Sequence, residues 1–581
     1  MRRAGVASFS LSPFLQAGAA GTLAAVAAAL ALAANDYVAG LVFSTAVNVL
    51  LALGWNLIGG MAGAVSFGQV AFFGLGAYFT ALLVVQAGLP LAPAILLAAL
   101  GAGLAAWPLG LLMLRLSGIF FALGMLGLAR VLALLANALD LTGGPMGMTV
   151  PAALSAAAPA FVAIGAALGA FLLILALLES RFGLRLRAVA DDPASASAIG
   201  VAPSSTRTLA FVLAALFAGA AGGLYVAHVG YIDPASSFAG TIELQTVLMV
   251  LAGGIGTLWG PVVGGIVISL LSTFLWARFP TEEQIILGAL IIALALRLPD
   301  GLLGGRKHPR FRPPLLRGAV EGVAGAAAHA ASRGERAGAV LAAEGLSRRF
   351  GGLAAVTEVA FEVRAGEILA IIGPNGAGKT TLFNLLTAHL APSAGTIRLN
   401  GAALARLPPP HRLARAGIAR TFQTSRLFPS LTVWETLLLA ALTRHRHWAE
   451  AEARAGAILA ALDLVSVANQ YPETLTPGQA RLVEIGRALA LEPAVLLLDE
   501  AMAGMNEAEI ARLQRVLREL AAAGMAILAI EHVIAAIAPL AARILVLDQG
   551  RVLTSGPPET VLEDPRVIDA YLGPERLDVA A

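Results

Sequence analysis

With 581 residues the chain is too long for one domain. Its hydrophobic fraction of 58% and charged fraction of 13% lie far from soluble averages of roughly 45–50% and 25%. A net charge of +3 gives no reason to expect a nucleic-acid partner, and the absence of cysteine excludes disulfides, cysteine-bound zinc and thiol catalysis. The average also conceals an asymmetry. Residues 1–180 carry only Arg2, Arg3, Asp36, Arg115, Arg130, Asp140 and Glu179 as ionisable aspartate, glutamate, lysine or arginine side chains, whereas the last part of the chain has an ordinary soluble composition. A membrane domain followed by a soluble one is the expected organisation.

A crossing needs about 20 apolar residues to span a core of about 30 Å. Candidates lie near 15–34, 37–58, 70–88, 91–113, 118–139, 157–178 and 208–229, then in a long stretch from Leu244 to Trp276, then near 283–297. A cleavable signal peptide is not expected, because the apolar run after Arg2-Arg3 has a full span's length and leads into further spans. Basic clusters at Arg2-Arg3, at Arg181, Arg185 and Arg187, and from Arg297 to Arg317 should all be cytoplasmic. Treating 244–276 as two short crossings satisfies every cluster and gives about ten spans. Treating it as one would leave the C-terminal domain outside.

Gly59-Gly60-Met61-Ala62-Gly63 and Gly253-Gly254-Ile255-Gly256 interrupt the spans at comparable places. Such breaks either line a cavity or allow close helix packing. Asn48, Asn56, Ser66, Gln69, Arg130, Glu243 and Gln245 are the polar groups in or near spans, candidates for a substrate path or for interhelical bonds. Residues 181–207 form the longest polar interruption, with a short helical pattern ending at Gly200. From Gly304 to Ala339 the chain is rich in Arg, Pro, Gly and Ala, without an apolar face, and reads as a basic juxtamembrane tether.

The soluble part opens with a strand-like segment at 340–346, and an apolar run, Ile368 to Ile372, leads into Gly373-Pro374-Asn375-Gly376-Ala377-Gly378-Lys379-Thr380-Thr381 and a helical pattern. Strand, glycine-rich loop, Lys-Thr and helix together make a phosphate-binding P-loop, with Lys379 reaching the β- and γ-phosphates and Thr380 ligating Mg²⁺. A buried-type strand, 494–498, ends in Asp499-Glu500, suited to holding the metal and to orienting or deprotonating the attacking water. Gln423 could sense Mg²⁺ and that water, and His532, at another strand's end, could reach a γ-phosphate or be structural. Phe350 offers a flat face to adenine, or belongs to the core.

The Leu141–Gly147 loop, the 187–201 run and Ala252–Pro261 resemble the permease of the branched-chain (hydrophobic) amino acid ABC uptake family. In that family the cytoplasmic loop is the coupling helix. The P-loop, Gln423, the Leu475-Thr476-Pro477-Gly478-Gln479 run, Asp499-Glu500, 503–506 and His532 stand in the order of an ABC ATPase. The 421–423, 530–532 and 548–550 runs look most like the ATPase of the same family. The resemblance implies a signature motif at 475–479, an ATPase that works as a dimer, and ATP and Mg²⁺ as cofactors.

Where the family's signature reads Leu-Ser-Gly-Gly-Gln or Leu-Ala-Tyr-Gly-Gln, Pro477 here removes an N–H, and Ala501 replaces the usual proline after the glutamate. Both changes put in question the composite site that this signature serves.

The expected architecture is therefore a polytopic α-helical membrane permease domain (1–303), a linker (304–339) and an α/β P-loop ABC ATPase domain (340–581). The resemblance implies a multi-pass protein of the bacterial inner membrane, in contact with lipid and with its ATPase cytoplasmic. A second permease, a second ATP-binding subunit and a periplasmic solute-binding protein are the implied partners. Uptake of branched-chain or related amino acids is the implied function. A homodimeric exporter, or uptake of urea, amides or aromatic acids, are the alternatives.

Overall fold

The computed structural model describes residues 12–33, 35–151, 157–279, 281–304, 339–404 and 407–572. Arg2, Arg3 and, apart from its two ends, the linker expected at 304–339 lie outside the described residues. The chain divides into two compact units, Met1–Ala190 with Pro203–His308, and Asp191–Ala202 with Pro309–Ala581.

The first unit is helical: α1 (Pro13–Ala33), α2 (Asp36–Trp55), α3 (Gln69–Val85), α4 (Leu91–Met113), α5 (Ile119–Ala138), α6 (Ala157–Leu178), α7 (Arg181–Asp191, its last residue in the second unit), α9 (Pro203–Val229), α10 (Pro234–Ser237), α11 (Gly240–Gly253), α12 (Gly260–Arg278) and α13 (Glu283–Arg297). The short α8 (Pro193–Ala198) falls in the second unit. Eight described helices are long and apolar enough to cross a membrane, and Gln69–Val85 is a shorter apolar helix. With the fifteen-residue α13, these cover the segments expected to cross.

Small residues set the packing. A Cβ on Gly76 would strike the backbone of Gly219, and one on Gly222 the Phe73 carbonyl, so α3 and α9 meet backbone to backbone.

The two glycine-rich interruptions meet in space. After Trp55, α2 relaxes into a π-helical turn, Asn56–Met61. From this turn the Asn56 Nδ2 donates to the Thr257 carbonyl at 2.7 Å, and its Oδ1 accepts the Gly256 N–H at 2.8 Å. A Cβ on Gly60 would lie 2.6 Å from the Gly256 nitrogen. The backbone after α13 joins the same junction, Leu302 and Leu303 donating to the Ala252 and Gly253 carbonyls. Arg207 ties in Ala62 and Val189 through their carbonyls, at 3.3 Å each.

At the other end of the helices Met148–Thr149 (β1) pairs antiparallel with Tyr231–Ile232 (β2). A threading with 56–63, 189, 207, 253–257 and 298–304 at one end, and 148–149 and 231–232 at the other, is the one that about ten crossings produce.

The second unit holds two sheets. One is the mainly antiparallel set β3 (Ala339–Phe350), β4 (Leu353–Arg364), β6 (Ala394–Leu399) and β7 (Ala402–Ala403), in the order β4-β3-β6-β7. The other contains β5 (Ile368–Ile372), β8 (Ile418–Arg420), β9 (Val495–Asp499), β10 (Ala526–Ile530), β11 (Arg543–Asp548) and β12 (Arg551–Gly556), in the order β12-β11-β5-β10-β9-β8. All of its pairs are parallel except β11 with β12. Strands β5, β9 and β10 are buried along their whole length, which is why they read as continuous apolar runs rather than alternating ones.

Because Asn56 is fully buried and satisfies two backbone groups of the 254–257 break, Asn56→Leu should strand both. The expected cost is about 2–4 kcal/mol, visible as a lower apparent melting temperature of the detergent-solubilised chain. An unchanged melting temperature would refute this role.

Candidate functional site

Strand order decides what meets what. Strands β5, β10, β9 and β8 are successive neighbours running parallel, so their carboxyl ends lie side by side. Those ends lead into 373–381, Glu531-His532, Glu500 and Thr421–Gln423 respectively. Segments up to 160 residues apart in sequence are thereby placed on one edge, where α/β sheets carry their ligand sites.

After β5 the chain turns through Gly373, Gly376 and Gly378, all at positive φ, into α14 (Lys379–Leu386). A Cβ on Gly378 would strike the Ala355 carbonyl, so glycine is required there for packing as well as for φ. The loop folds over its own lysine: Lys379 Nζ donates to the carbonyls of Gly373, at 2.6 Å, and Pro374, at 2.9 Å. Burial lowers the lysine's pKa, and the nearby Glu500 and Asp499 carboxylates oppose that. Asn375, Gly376 and Thr380 are exposed on the loop, and Pro374 and Thr381 are half-buried.

Glu500 is the point where two of the other expected residues converge. Gln423 Nε2 donates to its Oε2 at 3.0 Å, and His532 Nε2 lies 2.9 Å from its Oε1. The Glu500 backbone takes φ of +48° and its N–H donates to the Ile530 carbonyl, turning the side chain out of strand direction toward the two partners. Asp499 is buried. Its Oδ2 faces Arg420 at 3.4 Å, its N–H donates to Thr421 Oγ1 at 3.0 Å, and among the described residues its Oδ1 has no partner. Burial raises the Asp499 pKa and Arg420 pulls it back. A buried carboxylate oxygen with no hydrogen-bond partner among the described residues is a donor that suits Mg²⁺.

Sequence reading assigned no role to the residues that hold this cluster. Arg420 also donates to Asn384 Oδ1 and Thr387 Oγ1, at 2.8 and 2.9 Å, bracing the helix after the P-loop against β9. Glu484, fully buried, accepts the Phe422 N–H at 2.8 Å, while Arg481 binds the Phe422 and Gln423 carbonyls. Glu531 is buried and accepts the Met502 N–H at 2.9 Å, gripping the chain two residues after Glu500. For Arg420 and Glu531 the available signal was a charged residue at the end of an otherwise apolar strand; Arg481 and Glu484 lie within the Pro477–Leu489 helix and carried no such signal.

Leu475–Gln479 stands apart: among the described residues no hydrogen bond joins it to 373–381. It opens the helix Pro477–Leu489 with a capping box, Thr476 Oγ1 accepting the Gln479 N–H and Gln479 Oε1 the Thr476 N–H. Pro477 therefore occupies the first helical position, where an N–H has no intrahelical partner in any case. Phe350 ends β3 with its ring half-exposed and the Arg348 guanidinium 4.8 Å from its centre.

Residues 191–202 pack within this second unit although the sequence sets them among the membrane spans. Asp191 Oδ2 accepts from the Ser430 N–H at 2.8 Å and its hydroxyl at 2.7 Å, and Asp192 lies 3.6 Å from Arg426. Asp192 also caps α8, and the Gly200 carbonyl after it accepts from Arg415 Nε at 2.8 Å. The segment sits on 415–430, the stretch that contains Gln423.

Residues 37–295 match the family profile "Branched-chain amino acid transport system / permease component". Residues 356–503 match "ABC transporter", and 551–573 match "Branched-chain amino acid ATP-binding cassette transporter". The chain is 39% identical over 253 residues to the high-affinity branched-chain amino acid transport ATP-binding protein BraF of Pseudomonas aeruginosa, covering 40% of this chain and 98% of that one. It is 41% identical over 250 residues to LivG of Salmonella typhimurium, with the same coverage. The chain belongs to the branched-chain amino acid ABC transporter family. It joins permease and ATPase in one polypeptide. A more distant likeness, 32% over 234 residues, covers 97% of LptB of Acidithiobacillus ferridurans, a lipopolysaccharide export ATP-binding protein.

In this ABC transporter burial raises the Glu531 carboxyl from 4.5 to about 7. The folded protein then keeps a proton that the unfolded chain has released, so this group's stabilisation is lost as pH rises from about 4.5 through about 7. Glu531→Gln keeps an oxygen for the Met502 N–H but cannot ionise. It should remove up to about 3 kcal/mol of that pH dependence, read from the ATPase melting transition at pH 5.5 and 8. An identical slope in the variant would contradict the assignment.

Proposed function

We propose that the chain is the fused permease and ATP-binding subunit of a bacterial importer for branched-chain or related amino acids, set in the inner membrane with its ATPase cytoplasmic. The observation that carries this reading is that both halves match the same transport system independently. An ATPase likeness by itself leaves direction open, since LptB is named for export. The permease match over 37–295 is to a branched-chain amino acid transport system, the family whose resemblance implies uptake.

In this reading Lys379 and the 373–381 backbone N–H groups bind the ATP phosphates, and Phe350 faces the adenine. Glu500, aimed by Gln423 and His532, orients and deprotonates the attacking water. Thr380, Gln423 and Asp499 would hold Mg²⁺, which when bound neutralises charge on the phosphate oxygens. Leu475–Gln479 serves the nucleotide of a second ATP-binding subunit. A second permease and a periplasmic solute-binding protein complete the assembly, with 1–303 and 340–581 as the functional domains and 304–339 between them.

Contacts of 191–202 with 415–430 give the ATPase a mechanical handle on the chain leading into α9.

Glu500→Gln should leave ATP bound, lower hydrolysis by about 100-fold or more, and stop uptake into vesicles. Unimpaired uptake would remove the proposed role. Asp191→Ala, or deletion of 191–200, should leave ATP binding intact while hydrolysis no longer drives uptake. Retained coupling would show that the segment is not the link.

A further inference from the structure

Helix α5 presents two unlike faces. Phe121, Ala122, Met125, Ala129 and Ala136 are buried. On the opposite side Leu123, Gly127, Arg130, Leu134 and Asn137 are exposed, and their spacing of three and four residues puts them in one stripe. Arg130 is in the middle of it. Among the described residues it has no hydrogen bond and no ion pair, and α5 itself contains no acidic residue.

Lipid does not fit this position. A guanidinium at mid-span costs about 2.5–3.5 kcal/mol or more in hydrocarbon. Snorkelling gives little relief, because helical side chains lean toward the N-terminus, and Arg130 sits roughly 16 Å from that end. A Cβ on Gly127 would meet nothing, so there is open space one turn away from the cation. The acid nearest mid-membrane in the sequence pattern, Glu243, is buried and already accepts the Val70 N–H at 2.9 Å. What remains is an uncompensated cation with an amide, Asn137, two turns along the same stripe.

We propose that this face of α5 lines the water-filled solute path and that Arg130 binds the carboxylate of the transported solute. The assignment rests on the transport reading above and narrows it. Solutes bearing a carboxylate, such as amino acids and aromatic acids, are favoured over urea and neutral amides, because only the former satisfy the guanidinium with a paired charge-assisted contact.

The chain has no cysteine, so each introduced thiol is unique in it. Arg130→Cys in the full chain, in membrane vesicles, is treated with a charged methanethiosulfonate, alongside Leu104→Cys on the exposed face of α4. Labelling at 130 should be faster by about tenfold or more, since thiolate formation requires water. Labelling no faster than at 104 overturns the assignment, whether lipid or another protein surface covers the face.

In the same vesicles, with the wild-type subunits present, uptake of L-leucine and of L-leucinamide is compared. Arg130→Gln should lower leucine uptake by about tenfold relative to leucinamide, and Arg130→Lys should restore part of it. Equal losses for both solutes overturn the carboxylate contact. If the wild-type system takes up neither solute, it is the import reading that fails, and the labelling result then decides separately whether Arg130 faces water.

Discussion

Parallel pairing of β5, β10, β9 and β8 is the constraint on which the ATPase site depends. In a parallel sheet every strand ends on the same edge, so the loop after each one is delivered to the same place regardless of sequence distance. Gln423, Glu500 and His532 meet only because their strands are neighbours. The full burial of β5, β9 and β10 fixes that adjacency, since none of them could move to an edge without exposing a continuous apolar run. Charge is then held at the strand ends by few groups. Arg420 spans from Asp499 to the helix that follows the P-loop, so moving Asp499 would leave a buried guanidinium without its paired carboxylate.

The membrane unit solves a different problem. Backbone that leaves the helical pattern inside a bilayer must find partners within the protein. Here the two breaks serve each other, with Asn56 supplying both a donor and an acceptor and glycines allowing the chains to approach. The polar residues noted in the spans are mostly spent in this way: Asn48 on Ser269, Gln69 on the Ala214 carbonyl, Glu243 on the N–H that opens α3. Arg130 is the exception: among the described residues it has no partner, which separates the proposed solute contact from residues that hold the fold together.

Much of this was legible in the sequence where the signal is local. Apolar runs of span length, the glycine-rich loop between a strand and a helix, and the strand ending in Asp499-Glu500 each state their structure within ten to twenty residues. The two broken spans were visible as comparable interruptions, but that they touch was not, because contact depends on the crossing of α2 and α12. Arg420, Glu484 and Glu531 were illegible for the same reason. Each does its work through a backbone group or carboxylate delivered by another strand or helix, as when Glu484 meets the Phe422 N–H. The place of 191–202 shows the limit most clearly. Polarity marked it as a loop, while its packing with 415–430 follows from Asp191 and Asp192 meeting Ser430 and Arg426.

One short stretch, 415–430, touches the Glu500 cluster, the signature helix and the 191–202 segment. Its Gln423 contacts Glu500, its Phe422 and Gln423 backbone is clamped by Arg481 and Glu484 of the Pro477–Leu489 helix, and its Arg426 and Ser430 meet the 191–202 segment. The Arg426 carbonyl further accepts from the buried Arg487 at 2.7 Å, closing a loop of contacts between signature helix and segment. A shift of Gln423 would therefore have to be shared with both the helix that starts at the signature and the 191–202 segment. Buried charges make that sharing stiff, because Glu484 is held between Arg481 and Arg487, and neither arginine can withdraw without stranding a carboxylate that has no access to water. In the proposed transport cycle, stiffness of this kind is what an element that passes on a change needs. A stretch that deformed easily would absorb a change at Glu500 instead of passing it on.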